Sequence, residues 1–224
     1  MMEKRPLSDR EAPSMRIAEP TIERIVQYHR LLKEFLESGR TVVSSKEIGD
    51  ALSFKASQVR KDLSYFGEIG KRGVGYHVDR LYNHIDQILA LPKECRIALA
   101  GVGRLGEALL RHKAFRDAKY SFRALFDIDP GKIGKSFRGI PCFDLADAPK
   151  IMKRERIEVL VLTVPAETAQ KAVDMATAAG TVKGILNFSP ATLVLPAGVL
   201  LCSVDISLEL EKLLFYLKYR ENQL

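Results

Sequence analysis

Six consecutive residues, Gly101-Val102-Gly103-Arg104-Leu105-Gly106, carry the spacing GxGxxG. The first glycine permits a tight turn after a strand and the second lets backbone approach a pyrophosphate. The third allows a helix to pack closely on the strand, so that the helix N-terminus faces an anionic ligand. Asp127 follows Gly106 by 21 residues, at the end of the next apolar run. A carboxylate there accepts from a ribose 2′-hydroxyl and repels a 2′-phosphate. With Asp129 nearby and no arginine directly after Asp127, the pattern favours NAD(H) over NADP(H).

A second constellation lies upstream, in SQVRKDLSYF (57–66). Val59, Leu63 and Phe66 fall at i, i+4 and i+7 and predict one buried stripe of a helix. Ser57, Lys61 and Ser64 then line the opposite side, flanked by Gln58, Arg60 and Tyr65. Lysine or arginine to guanine or phosphate, glutamine to adenine, and hydroxyls to phosphate are contacts a DNA major groove accepts. The following GEIGKRGVGYHV has four glycines with β-formers on each side, which predicts a hairpin. Its basic tip, Lys71-Arg72-Gly73, would reach phosphates or a narrow minor groove. Residues 54–77 hold five basic and two acidic side chains. The bulk charge of +7 is no guide to this site: residues 1–90 contribute 15 basic and 13 acidic side chains, so most of the excess lies elsewhere.

Catalytic apparatus is not evident beside the glycine motif. A dehydrogenase needs an acid or base near the nicotinamide. Of four histidines, His29, His77 and His84 lie in the first part of the chain, and only His112 follows the glycine motif. No HExxH, GxSxG or Cys/His pattern occurs, and the expected sheet is followed by one helix rather than a substrate domain. A cofactor loop of this kind reads as a sensor. An enzyme is the rival reading, because FDIDPGKIGKSFRGIPCF is also similar to CoA-binding domains of ligases and to small dehydrogenases. A DNA-binding protein with a vestigial nucleotide fold is the third. Cys95, Cys142 and Cys202 are scattered, with no CxxC, so neither a disulfide framework nor a metal site is expected. No apolar run approaches the ~18 residues of a membrane span. The opening MMEKRPLSDREAP lacks the apolar core of a secretory signal. A cytoplasmic protein is expected.

These residues need elements to position them. Residues 1–19 read as a mobile tail. Thr21, after Pro20, can cap a helix carrying Ile22, Ile25, Val26, Leu32, Phe35 and Leu36, which ends near Ser38-Gly39. Thr41 to Val43 is β-prone, and Ser44-Ser45-Lys46-Glu47 is a capping-box signature for a short second helix. The 57–66 helix and the hairpin follow, then a helix with Leu81, Ile85, Ile88 and Leu89 that Pro92 ends. Three helices and a hairpin in this order predict a winged helix-turn-helix over 20–91. Apolar runs at 96–100, 123–128, 158–164, 183–188 and 199–204 alternate with helical stretches at 106–116, 144–155 and 167–179. They predict an α/β parallel sheet of Rossmann type over 92–204. A C-terminal helix over 205–224 is apolar on more than one face and must pack on its own sheet or on a partner subunit.

QVRKDLSYFG (58–67), RGVGY (72–76), GVGRLG (101–106), FDIDPGKIG (126–134), ILNFSP (185–190) and VDISLELEKL (204–213) together closely resemble the Rex redox-sensing transcriptional repressors, from about Pro20 onward. The resemblance implies a homodimer with domain-swapped C-terminal helices, bound to double-stranded operator DNA with an inverted repeat. NADH would release the operator and NAD⁺ would compete, reporting the redox ratio to fermentation and respiration genes. It places Ser57, Gln58, Arg60, Lys61, Ser64 and Tyr65 on the recognition helix, and Lys71, Arg72 and Gly73 on the wing. Gly101 to Gly106 would hold the pyrophosphate and Asp127 the adenosine ribose. Thr163, Val164, Pro165, Asn187, Phe188 and Ser189 would border the nicotinamide end. Arg30 and Asp205 match a family pair that forms an interdomain salt bridge in one state. Some family members carry Tyr at the position of His112 and Phe at that of Ile206.

Overall fold

The computed structural model describes residues 18–65, 67, 74–116 and 119–221. The chain divides into two compact units, Met1–Leu91 and Pro92–Leu224. In the first unit, α1 (Glu19–Glu37), β1 (Val42–Val43), α2 (Ser45–Leu52), α3 (Ala56–Ser64), β2 (Tyr76–His77) and α4 (Val78–Leu89) follow in order. Ile25, Tyr28, Leu32, Ile48, Val59, Leu63, Leu81 and Ile85 are buried together in its core. The buried positions of α1 and α4 recur at helical spacing, so each helix turns one apolar face inward.

Helix α1 starts earlier than Thr21. Ala18 occupies the N-cap and Pro20 the first turn, where proline's missing N–H costs nothing. The Thr21 hydroxyl instead accepts from Arg24 Nη2 at 3.0 Å. The tail expected over 1–19 therefore gives way to helix by Glu19, and residues 1–17 lie outside the described residues. The capping box forms as expected. Ser44 Oγ accepts from Glu47 N and Glu47 Oε2 accepts from Ser44 N. Strand β2 pairs antiparallel with β1, Val43 opposite Tyr76. Gly75 sits at this junction with φ +98°, and a Cβ there would lie 2.6 Å from the Val43 carbonyl oxygen. Phe66 and the hairpin tip lie outside the described residues.

The second unit is a seven-stranded sheet in the order β5-β6-β4-β3-β7-β8-β9, formed by β3 (Cys95–Ala100), β4 (Tyr120–Asp127), β5 (Ser136–Phe137), β6 (Ile140–Asp144), β7 (Val159–Leu162), β8 (Gly184–Asn187) and β9 (Leu200–Ser203). Every pairing is parallel except the β5–β6 hairpin at the edge. Leaving out β5, this is the doubly wound order of dinucleotide-binding sheets, with its switch point between β3 and β7. Helix α5 (Arg104–Arg111) packs on one face, where Leu99, Val102, Leu110 and Leu125 are buried. Helices α6 (Ala148–Glu155) and α7 (Ala166–Thr177) cover the other, over Phe126, Met152, Leu160 and Val173.

Two strands escaped the sequence reading. Strand β6 is five residues with Pro141 second, and β5 is two residues. Neither presents an apolar run long enough to stand out. Helix α8 (Ile206–Glu221) ends the described chain, and every side chain described on it is exposed. No described helix is long and apolar enough to cross a membrane.

Candidate functional site

The glycine loop has the shape its spacing predicts. Gly101 has φ +96°, and a Cβ there would lie 2.8 Å from the backbone of Thr163. A Cβ on Gly106 would lie 2.3 Å from the Gly101 carbonyl oxygen. Both positions therefore exclude side chains for reasons internal to the fold. Gly103 differs: it is the N-cap of α5, and a Cβ there would meet nothing within 4 Å. Open space above the middle glycine, at a helix N-terminus, is what a pyrophosphate needs. Arg104 and Leu105 open α5 and are exposed, and Val102 is buried beneath them.

Asp127 is buried at the end of β4 and faces the loop. Its Oδ2 accepts from Val102 N at 2.8 Å and Lys132 Nζ at 2.9 Å. Its Oδ1 accepts from Ile128 N at 2.9 Å and Asp129 N at 3.0 Å. Burial pushes the carboxyl up, but the Asp129 N–H, Lys132 and the Val102 N–H outweigh it and hold the group below its ordinary value. Four donors fill its acceptor sites. A ribose hydroxyl must share or displace one of them, and Lys132 is the only one on a flexible side chain. The sequence reading did not single out Lys132, because its position five residues past Asp127 matches no motif weighed there.

The residues expected at the nicotinamide end divide in two. Thr163 Oγ1 donates to the carbonyl oxygens of Ala100 and Gly101, at 3.0 and 2.7 Å. It thereby clasps the glycine loop. Val164 packs on the core and Pro165 is the N-cap of α7. Asn187, Phe188 and Ser189 line a cavity of about 400 Å³ together with Leu105, Asp205 and Ile206. The Asn187 amide folds its own loop, donating to the Ser189 carbonyl and accepting from Ser189 N. The Ser189 hydroxyl is buried without a hydrogen-bond partner. Unsatisfied buried polar atoms are rare in native proteins. Ser189 borders the cavity, but its hydroxyl is enclosed by protein rather than open to it.

Asp205 ends this site by capping α8. Its Oδ1 accepts from Ser207 N, Leu208 N and the Ser207 hydroxyl, and these bonds, led by Ser207, hold its carboxyl below its ordinary value. Arg30 is exposed on α1 of the other unit.

In the first unit the face expected on α3 is largely as predicted. Ser57, Arg60, Lys61, Ser64 and Tyr65 are exposed. Arg60 donates to Ser45 Oγ of α2 at 3.0 Å, and the Ser64 hydroxyl turns back to the Lys61 carbonyl. Tyr65 is the C-cap of α3 rather than part of it. Gln58 does not join that face. It is half-buried, and its Nε2 donates to Asp62 Oδ1 at 2.8 Å. Asp62, which the sequence reading passed over, is fully buried. One of the two acidic residues of the 54–77 segment is thus interior. Lys71, Arg72 and Gly73 lie outside the described residues.

A helical unit with an exposed basic helix, joined to a doubly wound sheet with an open glycine loop, defines a class in which a nucleic-acid-binding module is paired with a nucleotide-binding one. The comparisons with known proteins follow that division. Residues 16–64 match the family described as "Putative DNA-binding protein N-terminus", and residues 92–191 match the CoA binding domain family. The chain is 39% identical over 203 residues to the redox-sensing transcriptional repressor Rex of Listeria welshimeri, covering 91% of this chain and 94% of the relative. It is 39% identical over 208 residues to Rex 1 of Thermotoga maritima, covering 92% and 99%. Among solved structures, the repressor RSP in complex with β-NAD⁺ and operator DNA superposes with a TM-score of 0.83 at 33% identity, over 92% of this chain and 94% of that one. RSP in complex with β-NADH gives 0.80 at 32%, over 92% and 96%. The chain belongs to the Rex family of redox-sensing transcriptional repressors.

Proposed function

We propose that this protein is a cytoplasmic repressor that binds double-stranded operator DNA as a homodimer and leaves it when NADH binds. The observation that carries the reading is the pair of RSP complexes, one with β-NAD⁺ and operator DNA and one with β-NADH, both at about one-third identity across nearly the whole chain. The function is that of a sensor and not of an enzyme. The operator would be an inverted repeat, because a two-fold dimer presents two equivalent helices.

Ser57, Arg60, Lys61, Ser64 and Tyr65 would meet the DNA, with Lys71, Arg72 and Gly73 on the wing. Gln58 is better placed to hold the helix than to read a base. Gly101 to Gly106 would seat the pyrophosphate, and Asp127 the adenosine ribose. Asn187, Phe188 and Ser189 would border the nicotinamide, whose redox state supplies the signal. Thr163, Val164 and Pro165 would support the loop from below.

The reading divides the chain into a winged helix from Glu19 to Leu91, a nucleotide domain over 92–204 and a swapped helix from 205. The exposed apolar residues of α8, among them Leu210, Leu213, Leu214 and Phe215, support packing against a second copy. Among the described residues the side-chain hydrogen bonds of Asp205 all fall on Oδ1, while its backbone carbonyl accepts from Glu209 N. That leaves Oδ2 for Arg30 in one state of the switch.

A switch driven from 1:99 to 99:1 requires ~5.5 kcal/mol of differential affinity for NADH between the two states. The test is an anisotropy titration of a duplex that the protein enriches from a random-sequence pool. NADH should release the duplex and NAD⁺ should not; release by neither nucleotide would contradict the reading.

A further inference from the structure

Asp62 is the one fully buried acidic residue among the described residues of the first unit. It sits on α3, the helix whose other side carries Ser57, Lys61 and Ser64. Four donors converge on it. Arg24 of α1 donates twice, Nε to Oδ2 at 2.6 Å and Nη2 to Oδ1 at 2.8 Å. The Tyr28 hydroxyl, one turn further along α1, donates to Oδ2 at 2.8 Å. Gln58 of α3 completes the set on Oδ1. Tyr28 is itself fully buried and meets Phe54 edge-on, at 6.1 Å between ring centroids.

A hydrophobic stripe alone would bind α3 to α1. Val59 and Leu63 provide it, and apolar packing tolerates small rotations and slides. A bidentate guanidinium–carboxylate pair does not, because its two parallel bonds fix distance and angle together. Buried ion pairs contribute little net stability against apolar replacements of equal size, and their best-attested use is to select one arrangement. Burial pushes the Asp62 carboxyl up, but Arg24, Tyr28 and Gln58 outweigh it and keep the group ionised well below neutral pH. Asp62 therefore stays a carboxylate opposite Arg24 at neutral pH.

We propose that Asp62 is the positioning residue of the recognition helix: through Arg24 and Tyr28 it fixes the angle at which α3 presents its exposed face, and so sets operator selectivity rather than affinity for DNA in general. The proposal rests on the DNA-binding reading. Arg30 lies on the same helix as Arg24 and Tyr28 but is exposed. A displacement of α1 would thus reach α3 through this one polar joint.

The test uses the full chain and two duplexes: one that the wild type enriches from a random-sequence pool, and a scrambled one of equal length and composition. Affinities are measured at one salt concentration, with folding checked by circular dichroism. Arg24→Met with Asp62→Leu replaces the pair by apolar side chains, and the ratio of selected to scrambled affinity should fall at least ~10-fold, the scale of one misread base pair. Arg24→Lys keeps the charge without the fork and should lose a similar factor. Tyr28→Phe deletes one donor and should lose about threefold to fivefold. Affinity for the scrambled duplex and for NADH should stay at wild-type values in all three. Folded variants that keep the wild-type ratio would overturn the proposal and leave the DNA reading standing. A wild type that enriches no duplex, or a Lys61→Ala variant that binds both duplexes like the wild type, would overturn the DNA reading and the proposal with it.

Discussion

The two units build their sites by opposite means. The glycine loop is made of backbone: Gly101 and Gly106 are required because neighbouring backbone occupies the space a side chain would need, whereas nothing lies within 4 Å of a Cβ at Gly103, the space we assign to a pyrophosphate. The helix proposed to face DNA presents side chains, Ser57, Arg60 and Lys61, and is held from behind by the Arg24–Asp62 ion pair. Each unit also holds a buried aspartate with four donors, but the two are used differently. Asp62 takes all of its donors from side chains on α1 and α3, and so joins helices. Asp127 takes three of its four from backbone N–H groups, and so shapes a loop. A polar group buried among side chains is a joint between elements, whereas one buried among peptide groups is part of the turn itself.

That contrast can be broken by substitution. Asp62→Ala leaves the partly exposed Arg24 guanidinium and the buried Tyr28 hydroxyl without their acceptor and should cost about 3 kcal/mol of stability, the low end for a broken buried pair, read by chemical denaturation. Gly106→Ala should cost about 1–3 kcal/mol, since the new methyl group must push backbone aside, as overpacking does. Gly103→Ala should leave stability within ~0.5 kcal/mol of wild type. The same change should weaken NADH binding, because its methyl group would enter the space left for phosphate. Equal stability losses at Gly103 and Gly106 would dissolve the distinction between packing and ligand glycines.

Acid separates the two aspartates further. Both carboxyls are held below their ordinary values in the folded chain. Each therefore contributes stability that is complete above the ordinary carboxylate value, near 4, and is lost as pH falls through the depressed one. Asp62→Asn should flatten the acid limb of helix unfolding in the first unit, and Asp127→Asn that of the sheet unit, followed by far-UV circular dichroism. Lys132 gives a modest effect on nucleotide preference. Its ammonium lies 2.9 Å from Asp127 Oδ2 and would partly compensate a 2′-phosphate. Lys132→Met should therefore widen the NADH over NADPH preference by ~3- to 10-fold, on the scale of one charge-assisted hydrogen bond. Asp127→Ala should narrow it.

Legibility in the sequence followed the same division. The glycine loop was readable because a backbone site constrains residue type directly, and Asp127 because its distance from the loop is set by one helix and one strand. The exposed face of α3 was readable from the apolar stripe opposite it. Gln58 flanks that face, and nothing local in the sequence reveals the Asp62 carboxylate to which it donates. Asp62 was missed because one turn of helical spacing cannot show that Arg24 and Tyr28, more than thirty residues earlier, close over it. Strands β5 and β6 were missed because they are short and take their stability from pairing at the sheet edge.

The central claim is that one chain couples NADH occupancy to the release of DNA. Linkage makes this reciprocal: the factor by which NADH weakens duplex binding must equal the factor by which duplex weakens NADH binding. Measuring the NADH dissociation constant with and without saturating selected duplex, beside the duplex dissociation constant with and without saturating NADH, tests it most directly. Two equal factors, each well above one, are predicted. An NADH affinity that the duplex leaves unchanged would contradict the account.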